Sequence, residues 1–130
     1  MPRAPATAPR PRQAVARPEL KLRMRVTRGE TNAIGPGKVA LLEAVETHRS
    51  ISAAAKALGM SYRRAWLLID EMNRALKSPA VSTAAGGSHG GGTELTDMGR
   101  SVVAIYRGIE RQAQAACHDE IGRLLALVAD

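Results

Sequence analysis

Residues 50–76 read SISAAAKALGMSYRRAWLLIDEMNRAL, and this stretch decides the fold. Ser50 or Ser52 can cap a short helix by accepting a hydrogen bond from an otherwise unpaired N–H. Ala53, Ala54 and Ala55 let a second helix cross closely. Gly59 follows Leu58 where a left-handed residue would end that helix, and Ser61 caps the next one. At 100° per residue, Ala65, Leu68, Ile69, Met72 and Leu76 share one face of the second helix. Arg63, Leu67, Asp70 and Arg74 fall opposite, with Arg64 and Trp66 beside them. Two helices, a tight turn and arginines in the first turn of the second are the layout of a helix-turn-helix, whose second helix enters the DNA major groove. Either arginine alone would ordinarily be a solvated residue; the alanine-rich helix and the Gly59 turn favour DNA contact. Ser61, Tyr62, Arg63, Arg64 and Leu67 are the candidate groove-facing residues, with Ser52 and Lys56 on the first helix.

Composition fits a small helical protein. The chain has 130 residues, no Phe, two Tyr and one Trp, so its core must come from Ala, Leu, Val, Ile and Met. Its formal charge is +7. Residues 1–25 hold seven basic residues against Glu19, a net of +6, and the remainder is close to neutral. The charge therefore reports a basic arm, and only the placement of charges argues for DNA in the body. Residues 1–18 contain five prolines and no acid, too little apolar surface to offset ordering, and are expected to be a disordered basic arm. They are either a solvated leader or a nonspecific attraction to phosphate.

From residue 20, LKLRMRV alternates strictly, with Leu20, Leu22, Met24 and Val26 on one side and Lys21, Arg23 and Arg25 on the other. This predicts a half-buried strand with a basic outer face. Residues 27–37 read as a loop. The following Gly35-Pro36-Gly37-Lys38 is no phosphate loop: Asn32 stands where the first glycine should be and Val39 where Ser or Thr is needed. Gly-Pro-Gly instead opens an amphipathic helix carrying Val39, Leu41, Leu42, Ala44 and Val45.

After the helix-turn-helix, Pro79 ends the helical region. Val81-Ser82-Thr83 and Thr93-Glu94-Leu95 read as short strands around a glycine-rich tip, a wing. Gly86, Gly87, Ser88, His89 and Gly90 are the candidate phosphate contacts there, since glycine lets backbone N–H groups approach closely. A linker with an exposed His89 is the plainer reading. Thr96 caps a last helix with Asp97 in its first turn. No proline interrupts residues 97–128, a run of roughly 45 Å if fully helical. Met98, Val102, Ile105, Ile109, Ala113 and Ala116 recur at spacings of 3 and 4. Such a stripe wants a partner helix, and homodimerisation through Val102, Ile105, Ile109, Ala113 and Ala116 is the preferred reading over folding back on the domain. Glycines in this run allow a bend or break between residues 116 and 120.

Other classes are disfavoured. Cys117 is the single cysteine, so no intrachain disulfide forms, which suits a reducing compartment. His48, His89 and His118 lack ligand spacing, and no paired carboxylates or nucleophile–base pair is visible, so neither an enzyme nor a metal or cofactor is expected. No apolar run approaches membrane-helix length and no signal peptide is visible; a cytoplasmic protein is expected.

The run SISAAAKALGMSYRRAWLLIDEMN, followed by AGGSHGGG, Leu95-Thr96 and a Gly-Arg helix, closely resembles the N-terminal DNA-binding domain of the ModE family of molybdate-responsive transcriptional regulators. LKLRMRV and GPGK are also similar to members of this group, so the resemblance covers roughly residues 20–115. LysR-type regulators, which share a winged domain and a long linker helix, are a more distant likeness. The resemblance implies a mainly α, winged helix-turn-helix dimer. It would bind double-stranded DNA at a near-palindromic operator, with Tyr62, Arg63 and Arg64 at the start of the recognition helix. The basic residue often found among the wing glycines is here Ser88-His89. In full-length family members molybdate binds separate C-terminal domains. With the sequence ending at Asp130, the DNA-binding half carries over and molybdate binding is not expected. The expected organisation is a basic arm over 1–18, a winged DNA-binding domain over 19–96 and a dimerisation helix over 97–130. Alternatives are an architectural DNA-binding protein driven by the arm, or an interaction module that pairs with a full-length molybdate regulator or holds an oxyanion on the glycine loop.

Overall fold

A computed structural model describes residues 16–83 and 92–130. The glycine tip, with Gly86, Gly87, Ser88, His89 and Gly90, lies outside the described residues, as do residues 1–15 of the basic arm. Leu22–Ala116 form one compact unit.

The unit begins with an antiparallel hairpin, β1 (Val26–Arg28) and β2 (Thr31–Ile34), turning at Gly29-Glu30 with Gly29 at φ +61°. The predicted strand thus starts later than its sequence pattern, and its partner lies in what reads as a loop. The alternation before it is real: Leu20, Leu22 and Met24 are half-buried while Lys21, Arg23 and Arg25 are exposed. It does not extend to Val26, which is 55% exposed, because a bulge between Val26 and Thr27 shifts the register. Ahead of the hairpin, the Tyr106 hydroxyl donates to the Met24 carbonyl at 3.0 Å.

Helix α1 (Pro36–His48) starts with proline at its first position, where a missing N–H costs nothing. It is the centre of the core: Val39, Leu41, Leu42 and Val45 are fully buried, packed against α2 (Ile51–Ala57), α3 (Tyr62–Ala75), β4 (Thr93–Leu95) and α4 (Asp97–Ala116). Ala54, Ala55, Ala65, Ile69 and Met72 complete the helix-turn-helix side of that core. The wing strands β3 (Val81–Thr83) and β4 (Thr93–Leu95) occupy the two predicted segments and pair antiparallel, Val81 opposite Leu95 and Thr83 opposite Thr93.

Helix α4 (Asp97–Ala116) is capped by Thr96, whose Oγ1 accepts from Gly99 N at 3.1 Å. It packs on the body instead of standing apart as a linker. Val102 and Tyr106 are buried, and Arg107 grips α1 through a two-pronged contact with Glu43, at 3.0 and 2.6 Å. Glu43 and then Glu110, 2.8 Å away, push the proton affinity of this guanidinium above the ordinary arginine range. The helix stops at Ala116 and α5 (His118–Leu125) begins after Cys117, within the interval where a break is anticipated. Asp119 and Glu120 in the first turn of α5 favour a fresh helix N-terminus there.

Candidate nucleic-acid interface

The turn between α2 and α3 is built by local chemistry. Ser50 Oγ accepts from Ala53 N at 3.0 Å and Ser61 Oγ from Arg64 N at 3.1 Å. Gly59 takes φ +68°, a backbone that side-chain-bearing residues rarely adopt, and Met60 N closes onto the Ala55 carbonyl at 3.0 Å. Ser52 and Lys56 on α2 and Ser61, Tyr62, Arg63, Arg64 and Leu67 on α3 are all exposed, opposite the buried Ala65, Ile69 and Met72. Ser61, Arg63, Arg64 and Leu67 line one shallow concavity of about 320 Å³ with Leu68 and Glu71. A cleft of about 580 Å³ separates the rest of this face from the β1–β2 hairpin, with Arg28, Thr31 and Ala33 facing Leu67, Asp70 and Arg74.

The carboxylates on the outward face are already paired. Asp70 pairs with Arg74 at 3.1 Å. Glu71 takes the ammonium of Lys38, which also donates to the Asn32 carbonyl. Lys38 is only 3% exposed, so one buried cation ties α1, the hairpin and α3 together. Among the described residues Arg63 and Arg64 hold no carboxylate, leaving both guanidinium groups available to an anion.

The structure assigns a role to Asn73 that its sequence position does not disclose. Its Oδ1 accepts from Ala80 N at 2.8 Å and Val81 N at 3.3 Å, and its Nδ2 donates to the Val81 carbonyl at 3.2 Å. One side chain thereby latches β3 to α3. On the other strand, Thr93 N donates to the Arg49 carbonyl at 3.1 Å and Thr96 N to the Ala80 carbonyl at 2.9 Å. The root of the wing is thus fixed to α3 and to the C-terminal end of α1. Asn73→Ala leaves the buried amides of Ala80 and Val81 unpaired and should cost about 1–3 kcal/mol. A thermal melt that matches the unchanged protein would refute the latch.

Sequence reasoning did not find Lys38, although the signal was present: it sits three, four and seven residues before Leu41, Leu42 and Val45, on the buried stripe of α1. Nor does the expected dimer stripe survive as one surface. Val102 is covered by its own domain, because α4 packs against α1 and β4, and is withdrawn from the exposed set. Ile105 and Ile109 remain 64% and 50% exposed, with Ala116 exposed and Ala113 half-buried. Among the described residues no group of three His, Cys, Asp or Glu is placed to hold a metal, and no helix is long and apolar enough to cross a membrane.

A three-helix body with a capped, outward-facing α3 and a two-stranded wing rooted beside it is a winged helix-turn-helix domain. Comparison with known proteins gives relatives of one kind. The chain is 48% identical over 84 residues to the molybdenum transport protein ModE of Azotobacter vinelandii, covering 65% of this chain and 31% of that one. It is 46% identical over 77 residues to the molybdenum-pterin-binding protein MopB of Rhodobacter capsulatus, covering 59% and 28%. With the DNA-binding transcriptional dual regulator ModE of Escherichia coli it shares 39% identity over 71 residues, covering 55% and 27%. The homologues of this chain are thus molybdenum-related ModE and MopB proteins, and the chain spans less than a third of the length of each of these three. No protein-family model matches it. Among solved structures, a LysR family transcriptional regulator aligns with a TM-score of 0.48 at 17% identity, covering 64% of this chain and 27% of that one.

Proposed function

We propose that this chain is a sequence-specific, DNA-binding transcription regulator tied to molybdenum metabolism. The observation that carries the reading is the outward face of α3: two arginines that hold no carboxylate among the described residues, on a capped helix start, with the nearby carboxylates neutralised by Arg74 and Lys38. The relatives' names supply the molybdenum connection. Ser61, Tyr62, Arg63, Arg64 and Leu67 face the major groove, Ser52 and Lys56 approach the flanking backbone, and the wing residues Gly86, Gly87, Ser88, His89 and Gly90 meet phosphate. Two copies pair through Ile105, Ile109, Ala113 and Ala116 on α4, which places their recognition helices on half-sites about 34–36 Å apart or a multiple of that. Selection of bound DNA from a random pool at two salt concentrations tests this. The expected product is a near-palindromic consensus that persists at the higher salt; a pool without consensus would overturn the reading.

The concentration of charge in the first 25 residues supports a second reading, an architectural DNA-binding protein. Deleting residues 1–18 separates the two. A sequence-specific regulator keeps its consensus and loses about 0.9 from its salt slope for each phosphate contact removed. An architectural protein loses most of its affinity for every sequence.

A further inference from the structure

The exposed surface of α3 includes two consecutive large apolar side chains that the fold leaves uncovered, Leu67 on the outward face and Trp66 beside it. Trp66 is 46% and Leu67 is 48% exposed, on consecutive positions of a helix whose buried side is already filled by Ala65, Ile69 and Met72. Arg63 stands one turn before them and Asp70 one turn after. Asp70 borders both the crevice beside Trp66 and the cleft beside Leu67. Because Asp70 and Glu71 are held by Arg74 and Lys38, the surface around this apolar pair does not repel a polyanion. An apolar edge between an unpaired arginine and a neutralised carboxylate suits a surface that is anionic at its rims and apolar at points within. The DNA major groove is such a surface, and its apolar feature is the thymine C5-methyl group.

We propose that Leu67 and Trp66 form an apolar reading edge that selects thymine by covering its C5-methyl group. The proposal rests on the DNA-binding reading above and specifies what this part of the helix recognises. Leu67 follows Arg63 by four residues, about 6 Å along the helix, which corresponds to roughly two base pairs. The thymines should therefore lie within about two base pairs of the base that Arg63 reads.

Deoxyuridine provides the test, since it keeps every hydrogen-bonding group of thymine and lacks only the methyl. With the full chain and its selected operator, each thymine is replaced in turn and the dissociation constant measured by anisotropy. At one or two positions per half-site affinity should fall about fourfold, the effect of uncovering one methyl group. In Leu67→Ala the thymine-to-deoxyuridine ratio should drop to near one at one of these positions, and Leu67→Met should restore it. Trp66, the single tryptophan, should shift its emission to shorter wavelength when the operator binds. Tight, sequence-selective binding that ignores every deoxyuridine substitution would overturn the methyl reading and leave the regulator reading intact. So would an unchanged ratio in Leu67→Ala, or a Leu67→Ala variant that binds DNA normally but sediments as a smaller species, which would make this edge a contact between copies. Loss of all sequence selectivity in the unchanged protein would overturn both.

Discussion

Arg63→Ala is expected to weaken binding to the selected operator by about 1–3 kcal/mol, roughly 5- to 150-fold, and to relax preference at one base position. Arg63 is the second residue of α3, and Ser61 anchors the helix start by accepting from Arg64 N at 3.1 Å. The side chain points away from Ala65, Ile69 and Met72 and is exposed. No carboxylate among the described residues engages it, so binding a base need not break an internal ion pair. Its planar fork matches the O6 and N7 acceptors of guanine, a geometry that lysine cannot copy. Alanine is a good helix former, so the fold should be unaffected and the loss should read as recognition. The measurement is anisotropy against operators substituted one position at a time, at fixed salt. A uniform loss across all sequences would mean a phosphate contact, and unchanged affinity at every position would remove Arg63 from the interface.

The largest stability effect is expected from Gly99→Ala. A Cβ at Gly99 would lie 2.2 Å from the Ala80 carbonyl oxygen, 3.1 Å from its carbon and 3.3 Å from Leu95 Cβ. The first of these is backbone, and that oxygen already accepts from Thr96 N. It cannot swing aside as a side chain would, so the first turn of α4 must lift from the wing root. The cost should be about 3 kcal/mol, a fall in melting temperature on the order of 10–20 °C for a unit of this size. Gly108→Ala, on the same helix, is the internal control. Its Cβ would meet only Arg111 Nη2 at 3.8 Å, so the better helix propensity of alanine should stabilise by about 0.5–1 kcal/mol. Equal shifts for the two variants would contradict the close approach at Gly99.

Much of the fold was legible because it is written in local rules. Ser50, Gly59 and Ser61 mark their helix ends through hydrogen bonds and a backbone angle that involve residues no more than five apart. The wing strands were readable from their turn composition and β-rich flanks. The hairpin was missed because residues 27–37 read as a loop, although Gly29-Glu30 between Arg28 and Thr31 is a two-residue turn in its own right. Of the candidate interface, the exposed set on α2 and α3 followed from helical periodicity. The glycine tip of the wing lies outside the described residues.

By itself the sequence determined the helix-turn-helix, its caps and which side of α3 faces outward, since a 100° step and a capping hydroxyl require nothing from the rest of the chain. Tertiary structure decided what depends on a distant partner. Lys38 became a buried cation because Glu71 and the Asn32 carbonyl converge on it. Asn73 became a latch because β3 passes beside α3. Gly99 and Gly108 are alike in sequence but only Gly99 has a carbonyl against it. Val102 and Ile105 share one apolar stripe, yet α1 and β4 pack against α4 so that Val102 is covered and Ile105 is left to solvent. A helical period shows which residues share a face; only the packed neighbours determine whether that face is already occupied.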